Sequence, residues 1–259
     1  MDEREVRYEV EGGTARLTID REAARNALSP AVVQQLMSGL EQADADPAVR
    51  CVVLTGAGSR VFCAGGDLGG MSGDGFLSAH DSRRGYGLLL QKFQQVKKPT
   101  VARVNGHALA GGLGLVLACD LAVATTDAGF GTPEIDRGLF PMMLMALLQR
   151  HLGRKRALEL VLTGERLSSA KALEWGLVNR VVPAAELDAE TKRLADSLGG
   201  KSQAILALGR RAFFTAEDLP LSQAVEFLAS QLSLNILSED AAEGVSAFLE
   251  KRPPKWNDR

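Results

Sequence analysis

The chain of 259 residues is poor in the features that mark several protein classes. It has three cysteines, Cys51, Cys63 and Cys119, with no CxxC spacing. That odd, scattered set excludes a disulfide scaffold or a cysteine zinc site as the organising element, and it fits a reducing cytoplasm. Charge of neither sign is in surplus: 30 Lys and Arg stand against 32 Asp and Glu, a net charge of −2. No overall basic field is left to recruit nucleic acid or an anionic membrane. The local basic groups Arg154–Lys155–Arg156, Arg210–Arg211 and Lys251–Arg252 with Lys255 read as solvated faces. No apolar run is long enough to span a bilayer, and "MDEREVRYEVEGG" lacks the apolar stretch of a secretion signal. The expectation is a soluble cytoplasmic protein with no nucleic-acid or membrane partner.

The elements that are present alternate. Residues 5–10 and 14–19 flank Gly12–Gly13 as a hairpin signal. Ser29–Pro30 opens a helical pattern with Val32, Val33, Leu36, Leu40 and Ala43 on one face, Ser29 as cap and Pro30 at the first position. "RCVVLTGAG", "PTVARVNG" and "DLAVAT" read as buried strands. Residues 82–96 read as a helix with Leu88, Leu89, Phe93 and Val96 apolar, and another helix runs through Leu113–Cys119. Strand, glycine loop and helix in succession predict an α/β layout with largely parallel strands. Past residue 141 the reading is mostly helical, in short helices over 142–175 and several more over 185–250, with breaks at Gly199–Gly200 and Pro220. The division expected is a core over 1–195 and a helical region over 196–259.

Two glycine clusters follow buried strands: "CAGGDL" at 63–68 and "ALAGGLG" at 108–114. Loops after parallel strands leave the sheet on one edge, so the two are able to face each other. Glycine lets a main-chain N–H approach a ligand closely, and a helix start presents N–H groups with positive dipole character. Two such donors would stabilise an oxyanion. The competing dinucleotide fingerprint is incomplete, because Leu117 stands where Gly112-x-Gly114 requires a third small residue.

The segments "GAGSRVFCAGGDL", "PTVARVNGHALAGGLGLVLACDLAVAT", "FGTPEIDRGLFP" and "LVLTGERLSSAKALEWGLVNRVVP", in order and followed by "FLEKRPPKW", resemble the enoyl-CoA hydratase/isomerase (crotonase) superfamily over residues 5–256. The resemblance implies a spiral of ββα units with a helical C-terminal trimerisation region, assembled as a homotrimer or homohexamer. It implies an acyl-CoA thioester as substrate, with coenzyme A part of that substrate and no separate cofactor or metal. It gives the Gly66 and Gly111 N–H groups as oxyanion donors and Glu134 as acid/base. Ala24, Ala27, Leu28, Ala64, Gly65, Asp67 and Leu68 line the expected CoA path, and Lys251 or Lys255 is a candidate for the nucleotide phosphate.

One departure is plain. The superfamily's hydratases hold water between two glutamates, and the position of the first is here Gly114. A single carboxylate suffices for a double-bond shift, so isomerisation is preferred over hydration, with a non-catalytic thioester-binding homologue as a further alternative. Restoring a glutamate at 114 is expected to raise hydration. His107 is a candidate substrate contact beside the loop, Asp136 a candidate assistant and Asp120 a structural cap. The segment "MSGDGFLSAHDSRRG", which holds His80 and Asp81, reads as a loop over the acyl pocket. Met142, Met143 and Met145 read as core packing or a pliable pocket wall.

Overall fold

The computed structural model describes residues 4–67 and 75–259. Strands β1 (Val6–Glu11) and β2 (Thr14–Ile19) form the expected antiparallel hairpin about Gly12–Gly13. Helix α1 (Pro30–Ala45) starts as its sequence dictates: Ser29 Oγ accepts from Val32 N, and Val32, Leu36, Leu40 and Ala43 are fully buried.

Three successive units then place one strand in each of two sheets. Strands β3 (Cys51–Gly56) and β4 (Val61–Cys63) precede helix α2 (Gly75–Gln95). Strands β5 (Thr100–Val104) and β6 (His107–Leu109) precede helix α3 (Gly111–Ala118). Strands β7 (Leu121–Thr125) and β8 (Gly129–Gly131) lead to helix α4 (Met142–Thr163). After β9 (Leu167–Ser168) and helix α5 (Ser169–Trp175), strand β10 (Arg180–Val182) closes the larger sheet. That sheet has the order β1-β2-β3-β5-β7-β10, parallel from β2 onward; the smaller has the order β4-β6-β8-β9. The repeated ββα step is the spiral implied by the resemblance.

The core lies between the sheets and α1–α4, with Phe62, Phe93 and Phe130 among its largest fully buried side chains. On the other face of the larger sheet, helix α6 (Leu187–Gly199) packs Leu187, Leu194 and Ala195 against Cys51, Val53, Val101 and Val123. This helix straddles residue 195. Helices α7 (Gln203–Ala216), α8 (Leu221–Ile236) and α9 (Glu239–Leu249) follow.

Several expectations change. The segment from Gly75 onward is helical, so residues 75–85 belong to α2 and are not a loop; the rest of the expected pocket-covering segment, 71–74, lies outside the described residues. Leu88 is exposed, and the buried stripe of α2 is Leu89, Leu90, Phe93 and Val96. The stretch from 142 holds the expected short helices: α4 is two helices that meet at Gly153, whose φ of 66° is not helical, and α5 follows. Met142 and Met143 are exposed, so core packing does not describe them.

Arg210 is not a solvated cation. Its guanidinium donates to Asp120 Oδ2 at 2.9 Å and Oδ1 at 2.8 Å, and to Phe93 O at 2.9 Å and Val96 O. Asp120 also accepts from Thr100 N and Oγ1, at 2.6 and 3.0 Å. The pair pins α7 to the core, which bears out the structural reading of Asp120. Arg252 is likewise held, by Glu243 and Glu250.

Candidate active site

The smaller sheet sets the site. β4, β6 and β8 are parallel neighbours, with Cys63 paired to Ala108, Ala108 to Phe130 and Leu109 to Gly131. Their C-terminal ends therefore emerge side by side and send out three loops: Ala64–Asp67, Ala110–Gly111 and Thr132–Glu134. The second loop is tied to the third strand by Ala110 N donating to Gly131 O at 2.8 Å.

The first two loops touch. Gly65 has φ +97°, a conformation that favours glycine, and a Cβ there would lie 2.5 Å from Ala110 Cβ and 3.1 Å from Gly111 N. Ala110 is itself held at φ 52°, ψ −129°, sparsely populated for a residue with a side chain. This turn aims the start of α3 back at the Gly65–Gly66 loop. Leu28 N donates to Gly65 O at 2.8 Å and Asp67 N donates to Leu28 O at 3.1 Å, a parallel bridge that leaves the Gly66 N–H out of its ladder. Gly111 is the first residue of α3, where main-chain N–H groups have no intrahelical acceptor. Neither N–H has an acceptor among the described residues.

The expected CoA-path segments come together. Ala64 N donates to Arg25 O at 3.1 Å, and Arg21 ties the strip from below through Asp67 at 3.0 Å, Ala27 O at 2.8 Å and Glu5 at 2.7 Å. Ala27 and Leu28 are buried, Ala64 is half-buried, and Ala24 is exposed on the 3₁₀ turn before them. Leu68 lies outside the described residues.

Glu134 opens a 3₁₀ turn over Ile135–Arg137. Its Oε2 is buried without a hydrogen-bond partner among the described residues. Burial holds its carboxyl above the ordinary range, opposed by its own backbone N–H and by Arg137. Asp136 is exposed beside Gly164, so it is not brought to the site. His107 stands at the start of β6, with Nδ1 directed at Gly129 and four residues before Gly111. His80 and Asp81 sit on exposed turns of α2. Lys251 and Lys255 are exposed in the C-terminal segment, where Lys255 N donates to Glu243.

Sequence reasoning missed Tyr86. It lies on α2, and its hydroxyl donates to Gly111 O at 2.8 Å. Burial first, then Cys63 and the Glu134 carboxylate, raise its pKa well above the ordinary value, so it stays a neutral phenol. One signal was there: Tyr86 sits three residues before Leu89 and seven before Phe93, on the same helical face. Burial pushes the Cys63 thiol up to about 12, and it is no nucleophile.

Known proteins similar to this chain in sequence and fold are numerous. A family model described as enoyl-CoA hydratase/isomerase matches residues 9–259. The human "Enoyl-CoA hydratase domain-containing protein 3, mitochondrial" is 34% identical over 246 residues, 95% of this chain and 81% of that one. A solved enoyl-CoA hydratase of Mycobacterium smegmatis aligns at TM-score 0.94 with 36% identity, covering 98% of this chain and 99% of that one. One from Bacillus anthracis aligns at TM-score 0.94 with 29% identity, covering 99% and 100%. With a family match over residues 9–259 and the fold shared at TM-score 0.94, the chain belongs to the enoyl-CoA hydratase/isomerase family, whose enzymes act on acyl-CoA thioesters.

Proposed function

We propose that this enzyme shifts the double bond of an enoyl-CoA thioester, using Glu134 as the single acid/base and the Gly66 and Gly111 N–H groups as the oxyanion site. The observation that carries the reading is a buried, unpaired Glu134 oxygen at the sheet edge that also carries two unsatisfied N–H groups, with Gly114 where a second carboxylate would stand. In a 3-enoyl thioester, the Glu134 carboxylate takes a proton from C2. The C–H electron pair forms the C1–C2 double bond, and the thioester oxygen becomes an anion held by the two N–H groups. Each such donor is worth about 3–4 kcal/mol to the transition state. The anion then re-forms the carbonyl, the C1–C2 pair moves to C2–C3, and the C3–C4 pair takes the proton from Glu134 at C4. Elevation of the Glu134 pKa brings it nearer the working range for both halves.

The strip of residues 25–29 and 64–67, with Ala24 at its exposed end, guides the pantetheine and adenine portions, and His107 and Gly114 are further candidate substrate contacts. Coenzyme A enters as part of the substrate, and no separate cofactor or metal is needed. Exposed Leu221, Leu232, Leu237 and Phe248 on and around α8 and α9 support assembly as a homotrimer or homohexamer. Three free, buried thiols support a cytoplasmic, reducing setting. No described helix is long and apolar enough to cross a membrane.

Hydration of a 2-enoyl thioester is the second reading, favoured by relatives that are named enoyl-CoA hydratases. Purified enzyme is assayed with 2-enoyl- and 3-enoyl-CoA thioesters of several lengths, beside Glu134→Gln. The first reading expects turnover of 3-enoyl thioesters and a loss of about 10²–10⁴-fold in the variant. Water addition as the main reaction selects the second. Acyl-CoA binding without turnover identifies a non-catalytic homologue and defeats both.

A further inference from the structure

The glycine at 114 has a steric reason that its sequence context does not reveal. A Cβ built there would lie 2.0 Å from the Tyr86 hydroxyl, 3.3 Å from the ring carbon that bears it and 3.4 Å from Leu144 Cδ1. A side chain at 114 therefore requires this hydroxyl to move. The hydroxyl is anchored, donating to Gly111 O at 2.8 Å. A Cβ at Gly111 would lie 3.4 Å from the same oxygen, so the phenol also covers the first turn of α3 beside the Gly111 N–H. Leu89, Leu90 and Phe93, all buried on α2, fix the helix that delivers it.

We propose that Tyr86 is the specificity-determining residue of this site: its hydroxyl fills the volume that a side chain at position 114 would occupy, so a phenol stands where a second carboxylate would. This rests on the acid/base reading of Glu134 and names what decides between its two outcomes. A phenol that remains protonated and is engaged with Gly111 O does not take a proton from water. It also removes the space in which a water molecule would lie between two carboxylates. Proton transfer is then left to Glu134, and double-bond migration is favoured over hydration.

On this proposal, restoring glutamate at 114 by itself does not raise hydration. The new Cβ collides with Tyr86 before the carboxylate reaches the cleft, so the tyrosine must be shortened as well.

Two measurements test the proposal. The first is a thermal unfolding cycle with Gly114→Ala, Tyr86→Phe and the double variant. In the wild-type background Gly114→Ala should lower Tm by about 2–12 °C, the range for overpacking in a chain of this size. In the Tyr86→Phe background, where the oxygen at 2.0 Å is gone, most of that loss should vanish. Equal losses in both backgrounds overturn the spatial claim, and this readout does not depend on any activity.

The second is the ratio of hydration to isomerisation in Tyr86→Ala/Gly114→Glu, compared with wild type and Tyr86→Ala. The ratio should rise at least about tenfold in the double variant, the effect of about 1.4 kcal/mol between two barriers. An unchanged ratio in a folded, acyl-CoA-binding double variant overturns the specificity claim. If wild type turns over neither substrate, the acid/base reading of Glu134 fails with it, while the thermal cycle still decides whether Tyr86 dictates glycine at 114.

Discussion

Asp120→Ala should be among the most damaging single changes in the chain, although Asp120 touches no substrate. The side chains of Asp120 and Arg210 are 18% and 10% exposed. Truncation removes two acceptor contacts with the guanidinium, at 2.9 and 2.8 Å, and two with Thr100, at 2.6 and 3.0 Å. Breaking a buried ion pair from one side costs about 3–5 kcal/mol, because the other charge is left uncompensated. The N–H of Thr100, a fully buried residue, loses its acceptor, which adds about 1–3 kcal/mol. Residual solvent access and the contacts Arg210 keeps with Phe93 O and Val96 O lower the total, and about 4–6 kcal/mol is expected. At about 2–4 °C per kcal/mol, Tm falls by about 8–24 °C. Differential scanning calorimetry measures it, with Asp120→Ala/Arg210→Met as the partner experiment. Removing both charges should recover part of the loss. A single-variant loss below about 1 kcal/mol, or a double variant worse than the sum of the singles, would refute the ion-pair argument. Folded Asp120→Ala at low temperature should retain its turnover, since the aspartate acts on α7 and not on the thioester.

Other expectations follow from the site and the core. With its pKa raised by burial, Glu134 becomes a competent base only as pH climbs through a value above the ordinary 4.5, so kcat/KM should show an acid limb displaced upward that Glu134→Gln abolishes. The sign for stability is opposite: the contribution of the group is fully present below its unfolded value and is lost as pH rises through its folded value, so unliganded wild type loses stability relative to Glu134→Gln over that window. Gly65→Ala should cost about 1–3 kcal/mol and depress turnover, because its Cβ meets Ala110 at 2.5 Å and its φ is +97°; full activity would contradict the described loop packing. Thiol reagents should label native protein slowly, since burial pushes Cys51 and Cys63 up to about 12, and should label three sites once it is unfolded.

Much of the fold was legible because its signals are local. The Gly12–Gly13 turn, the Ser29–Pro30 start and the apolar runs of β3, β5 and β7 each declare themselves within a few residues. The positions of Glu134 and the glycine loops at the ends of β4, β6 and β8 were legible through motif order. Tyr86 was not, because its meaning lies in a contact between residues 28 apart in sequence, and nothing in "GLGLV" states what occupies the space above Gly114. Arg210 failed for the same reason. A charge beside Arg211 on a helix reads as solvated until the partner at Asp120, 90 residues away, is known. The loop reading of the segment around His80 failed because glycine and serine weigh against a helix only weakly, and packing along the rest of α2 outweighs them.

The most direct test is a crystal structure of the enzyme with an unreactive acyl-CoA analogue bound. The account predicts the thioester oxygen about 2.7–3.1 Å from both Gly66 N and Gly111 N, with a Glu134 oxygen within hydrogen-bonding reach of C2. A thioester oxygen that meets neither N–H, or a Glu134 carboxylate turned away from the acyl chain, would contradict it.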